Sequence, residues 1–437
     1  MVTVRSILAV ATARQWHIHQ MDVYNAFLQG DLFDEIYMAL PQGFTSQGEK
    51  VCRLVKSLYG LKQAPRQWNA KLTQALIHMG FKQSQFYYSL FVRKTAEGIV
   101  VVLVYVDDML ITGSSLELIQ GTKLLLQKAF KMKDLGQLKY FLGIEFARSK
   151  SGITIHQRKY TLELIAEVGL AAAKPDKTPI DLNVKLTSKL YDDHLKLQAK
   201  KEGLKLSANN EDPLIDQVAY QKLIGKLLYL NMTRPDISFS VQTLSQFLQQ
   251  PKKSHMEATL RVVRYLKGQP DQGILLSSNE SQLATAYCDA DWAACPITRR
   301  SVTYFIIKIG DSLVSWKAKK QTTVSKGSAK AEYRSLATTM SELVWLLGIL
   351  KEVDAEIKLP IQVFSDSRAA IQIAANPVYH ERTKHIEMNC HFIRERLQQG
   401  IIEINYLSTQ NQPADLLTKG LSRVQSFEFL ISFPHLA

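Results

Sequence analysis

The sequence predicts an α/β protein with two or three domains, and three observations lead to this prediction. A chain of 437 residues is long enough for several domains, each burying a core of its own. From Met1 to about Lys174, runs of β-branched apolar residues alternate with amphipathic helical patterns. Strand and helix patterns alternate again from Leu276 onward, after a polar, lysine-rich stretch has interrupted them.

The composition is typical of a folded globular chain, since 46% of the residues are hydrophobic and 22% are charged. The longest apolar runs are far shorter than a membrane span, so we expect no membrane segment. The N-terminus lacks the basic start and apolar core of a signal peptide, so we expect no secretion. The four cysteines are scattered without the spacing of a zinc site, which favours a reducing compartment.

The chain is strongly basic, with a formal net charge of +14 and a pI near 9.4. A basic chain of this size predicts a polyanionic partner, and nucleic acid is favoured over a membrane surface. The alternative is a generic basic surface without a specific partner.

The first functional pattern is the stretch IVVVLVYVDDMLITG, residues 99–113. Its two apolar arms predict a β-hairpin with Asp107 and Asp108 at the tight turn. Two adjacent carboxylates in an apolar setting are costly unless a cation pairs with them, and Mg²⁺ prefers such oxygen ligands. The alternative is a polar hairpin turn, because Asp is common in turns.

A third carboxylate, Asp22, lies at the end of a strand-like run in HIHQMDVYNAFLQGD, residues 17–31. If this strand lies beside the hairpin, Asp22 meets Asp107 and Asp108. Three carboxylates could then hold two Mg²⁺ ions for in-line attack on a phosphate.

The residue composition changes in the middle of the chain. Residues from about 181 to 210 are polar and lysine-rich without a clear core face, which predicts a tether with at most a loose helix. Helical periodicity returns between residues 215 and 268.

The last third places acids at the ends of predicted elements. Asp289 lies on a strand in TAYCDADW, and Asp366 follows the strand in VFSDSRAA. Asp415 begins a helix in NQPADLLTKG, where an acid is also explained by the helix dipole alone. Each acid has a purely structural interpretation, but their concentration in one segment favours a metal site.

A fourth acid, Glu332, lies near the start of a long predicted helix, SAKAEYRSLATTMSELVWLLGILKEV, residues 328–353. It is one turn before an apolar stripe at steps of three and four, so it faces the sheet. The stripe consists of Leu336, Met340, Leu343, Leu347 and Leu350.

Many motifs in one order now support a family resemblance. The chain resembles the reverse transcriptase–RNase H portion of a Ty1/copia-type retrotransposon Pol polyprotein over nearly its whole length. The matching stretches are QMDVYNAFLQGDL, VCRLVKSLYGLKQAPRQW, LVYVDDMLITG, DLGQLKYFLGIEF, GKLLYLNMTRPDISFSV, YCDADWA, LVSWKAKKQTTVS, KAEYRSLA, ERTKHIEM and QPADLLTKG.

The resemblance implies polymerase roles in the first half. It implies that the three acids of the hairpin and its neighbouring strand form the metal triad of a palm subdomain. Phe27 matches the steric gate against a ribose 2′-OH, although a core aromatic is the structural alternative. Tyr59 and Gly60 match the segment under the incoming nucleotide. The hairpin that grips the primer end is matched by Tyr140, Phe141, Leu142, Gly143, Ile144 and Glu145.

In the second half, the resemblance implies that Asp289, Glu332, Asp366 and Asp415 form an RNase H carboxylate tetrad. The implied cofactor is Mg²⁺ or Mn²⁺, and the implied partners are an RNA template, a DNA primer, RNA–DNA hybrids and dNTPs. The sequence itself contains no address signal, and the resemblance implies a location in cytoplasmic particles, in the nucleus or in both.

The implied fold is a palm with an antiparallel sheet, a helical thumb and connection, and a five-stranded RNase H-like mixed sheet with flanking helices. We expect these parts at residues 1–174, 175–270 and 276–424, followed by a tail at 425–437.

Three departures from the family pattern stand out. We expect the fingers to be largely missing upstream of Asp22, and with them the cations that hold the triphosphate. Tyr304 stands where the family usually has glycine, and the loop STQNQ before Asp415 has no histidine. The alternative function is therefore a non-catalytic, nucleic-acid-binding remnant of a retroelement, with at most RNase H activity.

Overall fold

The computed structural model describes residues 1–41, 43–44, 50–181, 183–184, 186–202, 212–295, 298–375 and 387–418. The chain divides into two compact units. The first unit comprises Val10–Leu142 and Gly348–Ala355, and the second comprises Met1–Ala9, Gly143–Leu347 and Glu356–Ala437.

A six-stranded sheet forms the centre of the first unit, in the order β4-β5-β6-β7-β1-β8, and all its neighbouring strands are antiparallel. A separate two-stranded ribbon pairs β2 with β3. The elements from the N-terminus through this unit are α1 (Val2–Ala13), β1 (His17–Val23), α2 (Ala26–Gln29), β2 (Tyr37–Ala39), β3 (Val51–Arg53), α3 (Ala64–His78), β4 (Lys82–Gln83), β5 (Leu90–Thr95), β6 (Gly98–Tyr105), β7 (Asp108–Gly113), α4 (Leu116–Ala129), β8 (Met132–Gln137) and β9 (Tyr140–Phe141).

Strand β6 is an inner strand of this sheet, and its side chains are apolar on both faces. Residues 99–104 are all buried, as expected for a strand covered on both sides. Side chains of α3 and α4 belong to the same core cluster, represented by Leu72 and Ile119 beside Met21 and Met109. This core supports the strands that carry the acids, and it confirms the predicted antiparallel sheet and hairpin.

The second unit contains two further sheets and a group of helices. Its elements are β10 (Ile144–Ser149), β11 (Gly152–His156), α5 (Arg158–Glu167), α6 (Lys189–Lys201), α7 (Gln217–Leu230), α8 (Ser238–Leu244), α9 (Lys253–Gly268), β12 (Ile274–Ser277), β13 (Ala284–Asp291), β14 (Val302–Ile309), β15 (Ser312–Lys320), α10 (Ser328–Glu352), β16 (Ile361–Ser365), α11 (Arg368–Ala375), α12 (Glu387–Gln398), β17 (Ile402–Tyr406) and α13 (Asp415–Thr418). The end of α10, from Gly348, belongs to the first unit.

The five-stranded sheet of the second unit is mixed, in the order β15-β14-β13-β16-β17. Strands β13, β14 and β15 pair antiparallel, whereas β13–β16 and β16–β17 are parallel. This arrangement confirms the predicted five-stranded mixed sheet. Parallel pairing brings the ends of neighbouring strands to one edge, where functional side chains commonly gather.

The helices α5, α7, α8 and α9 share one apolar core, as predicted for the helical region. A buried ion pair lies in the same region: the guanidinium of Arg234 donates to both carboxylate oxygens of Asp236, with Nη2–Oδ2 at 2.7 Å. The Tyr265 hydroxyl donates a further hydrogen bond to Asp236, at 2.8 Å. Four donated hydrogen bonds, three from Arg234 and one from Tyr265, offset the cost of burying this carboxylate.

The predicted tether is described only in part. Helix α6 begins after Ser188, whose side chain accepts a hydrogen bond from the Tyr191 amide, and none of its residues is buried. Residues 203–211, the ERTKHIEM stretch up to Ile386 and the predicted tail at 425–437 lie outside the described residues. Among the helices that are described, none is long and apolar enough to cross a membrane.

Candidate active sites

The first carboxylate centre is formed by the pairing of β1 with β7. Antiparallel register places Asp22 directly opposite Asp108, and Asp107 occupies the turn that precedes β7. The backbone amide of Val23 donates to the Asp107 carbonyl oxygen at 2.8 Å, which ties the turn to β1. All three acidic side chains are partly exposed, so solutes can reach them. The structure thus brings together the three acids that the sequence predicts.

The electrostatics of this centre favour a cation. Burial raises the pKa of the Asp108 carboxyl, a hydrogen bond from Gln20 opposes this rise, and the charges of Asp107 and Asp22 raise the pKa further. Gln20 Nε2 donates to Asp108 Oδ1 at 3.2 Å. A divalent cation that binds between these carboxylates reduces the repulsion among their negative charges.

An aromatic pair lies beside the same centre. The rings of Phe27 and Tyr59 are 4.5 Å apart between centroids and are tilted by 48°. Burial, followed by the charges of Asp107 and Asp22, raises the pKa of the Tyr59 hydroxyl. Phe27 is partly buried: it packs on Tyr59, another predicted nucleotide-site residue, and also against the apolar core of this unit.

Gly60 follows Tyr59 with φ of +96°, a backbone conformation that favours glycine. A Cβ added at Gly60 would meet no heavy atom within 4 Å. The backbone conformation, and not crowding, therefore accounts for glycine at this position.

The predicted primer contact, residues 140–145, spans the boundary between the two units. Tyr140 is exposed and Phe141 is buried in the first unit. In the second unit Ile144 is buried, and Glu145 Oε1 accepts a hydrogen bond from the Lys159 amide at 2.8 Å. Leu142 and Gly143 both have positive φ, of 54° and 72°. The role of this segment stays a prediction.

The second carboxylate centre is compact. Asp289 on β13, Glu332 near the start of α10 and Asp366 just after β16 each offer a carboxylate oxygen, and these atoms lie within 4.8 Å of one another. Helix α10 is fixed over the sheet by Ser335, whose hydroxyl donates to the carbonyl oxygens of Asp289 at 2.7 Å and Tyr304 at 3.0 Å. The centre thus depends on one helix packed on two neighbouring strands.

Glu332 is the most perturbed acid of this centre. Burial, followed by the charges of Asp289 and Asp366, raises the pKa of the Glu332 carboxyl to about 10. Its Oε2 atom is buried without a hydrogen-bond partner. A buried, unpartnered carboxylate oxygen within a set of three acids fits the ligand requirements of a hard divalent cation.

Asp415 stands apart from this compact group. It is buried at the start of α13, but it does not belong to the set of carboxylates within 4.8 Å. The preceding loop is tied to both acid-bearing strands: Gln412 Nε2 donates to the Cys288 carbonyl oxygen at 3.2 Å, and Thr409 Oγ1 donates to Asp366 Oδ2 at 2.7 Å.

Four supporting residues were missed by the sequence reasoning. Gln20 has a signal, because it lies two residues before Asp22 and a strand places such residues on one face. Trp68 donates from Nε1 to the Val106 carbonyl oxygen at 2.8 Å, and only the tertiary fold brings them together. The others, Thr409 and Gln412, lie in the loop STQNQ, where no sequence pattern indicates a donor role.

Comparison of the sequence with known proteins identifies relatives of the chain. The family model described as reverse transcriptase (RNA-dependent DNA polymerase) matches residues 1–182. The Retrovirus-related Pol polyprotein from transposon RE2 of Arabidopsis thaliana is 42% identical over 97% of this chain and 28% of its own length. The transposon Ty5-1 protein of Saccharomyces cerevisiae is 32% identical over 74% of this chain and 100% of its own length.

A solved structure of a foamy viral protease-reverse transcriptase in complex with double-stranded DNA aligns with 93% of this chain and 60% of that chain. Its sequence identity is 13% and its TM-score is 0.21, which is too low to support an argument.

The family model relates residues 1–182 to the reverse transcriptase class. The chain belongs to the Ty1/copia-type retrotransposon Pol polyprotein family. It spans 28% of the length of the RE2 polyprotein.

Proposed function

We propose that this chain catalyses RNA-directed DNA synthesis at the first carboxylate centre and cleaves the RNA strand of RNA–DNA hybrids at the second. The observation that carries the proposal is the register of β1 and β7, which places Asp22 opposite Asp108 with Asp107 in the adjoining turn. The reverse transcriptase family model covers this segment.

At the first centre, Asp22, Asp107 and Asp108 would hold Mg²⁺ or Mn²⁺. Bound divalent cations supply Lewis-acid stabilisation of the attacking and leaving oxygens in phosphoryl transfer. Phe27, packed on Tyr59, would exclude a ribose 2′-OH from the space beside the acids. The substrates would be dNTPs, on an RNA template with a DNA primer.

At the second centre, Asp289, Glu332 and Asp366 would hold the same type of cation, with Asp415 as a fourth acid. The buried Glu332 carboxyl contributes most when it is ionised, and a bound cation favours that form. Thr409 keeps the Asp366 carboxylate oriented through its hydrogen bond. The net charge of +14 favours binding of the hybrid.

The test measures primer extension on an RNA template and cleavage of a labelled RNA–DNA hybrid with one preparation of the full chain in Mg²⁺. Asp108→Asn should abolish extension and leave hybrid cleavage intact. Asp366→Asn should abolish cleavage and leave extension intact, while hybrid binding stays equal or becomes tighter because repulsion of the phosphates falls. A chelator should abolish both activities.

The non-catalytic alternative predicts a different result. Folded wild-type protein that binds the hybrid but shows neither activity would support a nucleic-acid-binding remnant. Cleavage by Asp366→Asn at the wild-type rate would show that the second centre is wrongly assigned.

A further inference from the structure

The turn that carries the first pair of acids has a strained backbone. Val106 has φ of 57°, and it is the one β-branched residue among the described non-glycine residues with positive φ. Left-handed backbone is unfavourable for β-branched residues, because the branched Cβ crowds the neighbouring carbonyl oxygen. Strain of this kind persists only when the surrounding structure enforces it.

The side chain of Val106 does not enforce this conformation. It is 41% exposed, so its own packing provides little compensation for the strain. The enforcing contacts are made by the backbone of the turn: Trp68 Nε1 donates to the Val106 carbonyl oxygen at 2.8 Å, and the Val23 amide donates to the Asp107 carbonyl oxygen at 2.8 Å.

Trp68 is a rigid donor. It lies on α3 with 2% of its surface exposed, and its ring packs edge-on against Phe130, with centroids 5.2 Å apart. Close packing prevents the indole ring from rotating and α3 from shifting. The indole therefore fixes the position of the carbonyl group to which it donates. Asp107 and Asp108 directly follow Val106, so the fixed backbone of Val106 also determines where these two acids lie.

We propose that Trp68 is a positioning residue for the first centre, which holds the strained Val106 turn so that Asp107 and Asp108 present a preformed cation site. The inference deepens the proposed function and rests on it. Trp68 acts through the backbone of the turn and touches neither substrate nor cation.

The experiment measures Mn²⁺ binding by electron paramagnetic resonance in the full chain carrying Asp366→Asn, so that binding reports the first centre. Trp68→Phe removes the donor and keeps most of the ring. It should weaken Mn²⁺ binding about tenfold, the effect expected for loss of one hydrogen bond to a partly buried acceptor. Trp292→Phe is the matched control, because Trp292 Nε1 donates to the Ser325 carbonyl oxygen at 2.9 Å in the second unit. It should leave this binding unchanged.

Relief of the strain separates positioning from general packing. Val106→Gly removes the β-branched penalty, so Trp68→Phe should weaken Mn²⁺ binding less than about threefold when both changes are combined. An equal loss with and without Val106→Gly, or no loss from Trp68→Phe alone, would overturn the inference. Asp107→Asn in the same background tests the centre itself: if it leaves Mn²⁺ binding intact, the proposed function has failed and not the role of Trp68.

A second measurement applies if Trp68→Phe does not fold. The chain contains five tryptophans, and 5-fluorotryptophan labelling resolves them by fluorine resonance. Substitution of the other four tryptophans assigns the Trp68 resonance. Mg²⁺ added to the Asp366→Asn protein should shift this resonance, and a resonance that stays fixed through saturation would contradict the proposal.

Discussion

The surroundings of Glu332 determine the pKa of its carboxyl group. In solution its carboxyl would ionise near pH 4.5, but burial beside Asp289 and Asp366 raises its pKa to about 10. At neutral pH and without cations, the folded protein therefore keeps a proton that the unfolded chain releases. Because the folded state binds more protons, rising pH lowers the free energy of unfolding across this interval.

The sign of this linkage gives a prediction for the chelator-treated protein. Between about pH 6 and about pH 9, the melting temperature of wild type should fall relative to that of Glu332→Gln, which mimics the protonated side chain. Thermal unfolding of both proteins at several pH values measures the difference. Parallel pH profiles would contradict the raised pKa. Added Mg²⁺ should stabilise wild type more at the higher pH, because binding displaces the proton.

For single residues, the sequence predicts the acids of the two centres better than the side chains that hydrogen-bond to them or to their backbone. Asp22 and the YVDD pair were predicted from local pattern, since period-2 alternation and turn chemistry are encoded within a few residues. The donors Gln20 and Trp68 were missed, since the role of Gln20 depends on which strand pairs with the hairpin and that of Trp68 on which helix packs against it. Asp415 was predicted as one of four acids, but the structure gathers only the other three within 4.8 Å.

The β6–β7 hairpin shows why element geometry constrains the first centre. Its pairing ends where Val100 lies opposite Gly113. A Cβ added at Gly113 would lie 2.3 Å from the Ile99 carbonyl oxygen, and backbone atoms cannot move aside as a flexible side chain can. The close approach of the two strands therefore requires glycine at this position.

A pair of glycine substitutions tests this constraint. Gly113→Ala should lower the free energy of unfolding by about 1–3 kcal/mol, the usual cost of overpacking. Gly121→Ala is the matched control on α4, where an added Cβ meets nothing within 4 Å, and it should raise stability by about 0.5–1 kcal/mol. Chemical denaturation of both variants measures the changes. Equal effects at the two positions would show that strand contact does not explain Gly113.

The long helix α10 shows what a periodic pattern can predict about an element. Its predicted extent agrees with the observed Ser328–Glu352, and four of its five stripe residues are buried. Leu347 is only partly buried, whereas Leu346 and Ile349 are buried. A stripe predicted from spacing assumes one constant contact face. The buried face of this helix is wider in its N-terminal half, where residues 331–333, 335–337, 339 and 340 are buried, and it is narrower around Leu347.

Across the whole molecule, the predicted antiparallel sheet, helical core and five-stranded mixed sheet are all observed. These features were predictable because strand and helix periodicities persist over many residues in each region. The pairing order of the strands depends on long-range contacts, which spacing alone does not encode. The order was therefore not predicted, and it is known from the structure alone.

The central claim is that this fold assembles two independent carboxylate centres for divalent cations. The most direct test is a Mn²⁺ titration of the full chain, followed by electron paramagnetic resonance, for wild type, Asp107→Asn, Asp366→Asn and the double variant. Wild type should show two classes of binding site, each single substitution should remove a different class, and the double variant should retain neither. Loss of both classes from one substitution, or retention of both in the double variant, would contradict the account.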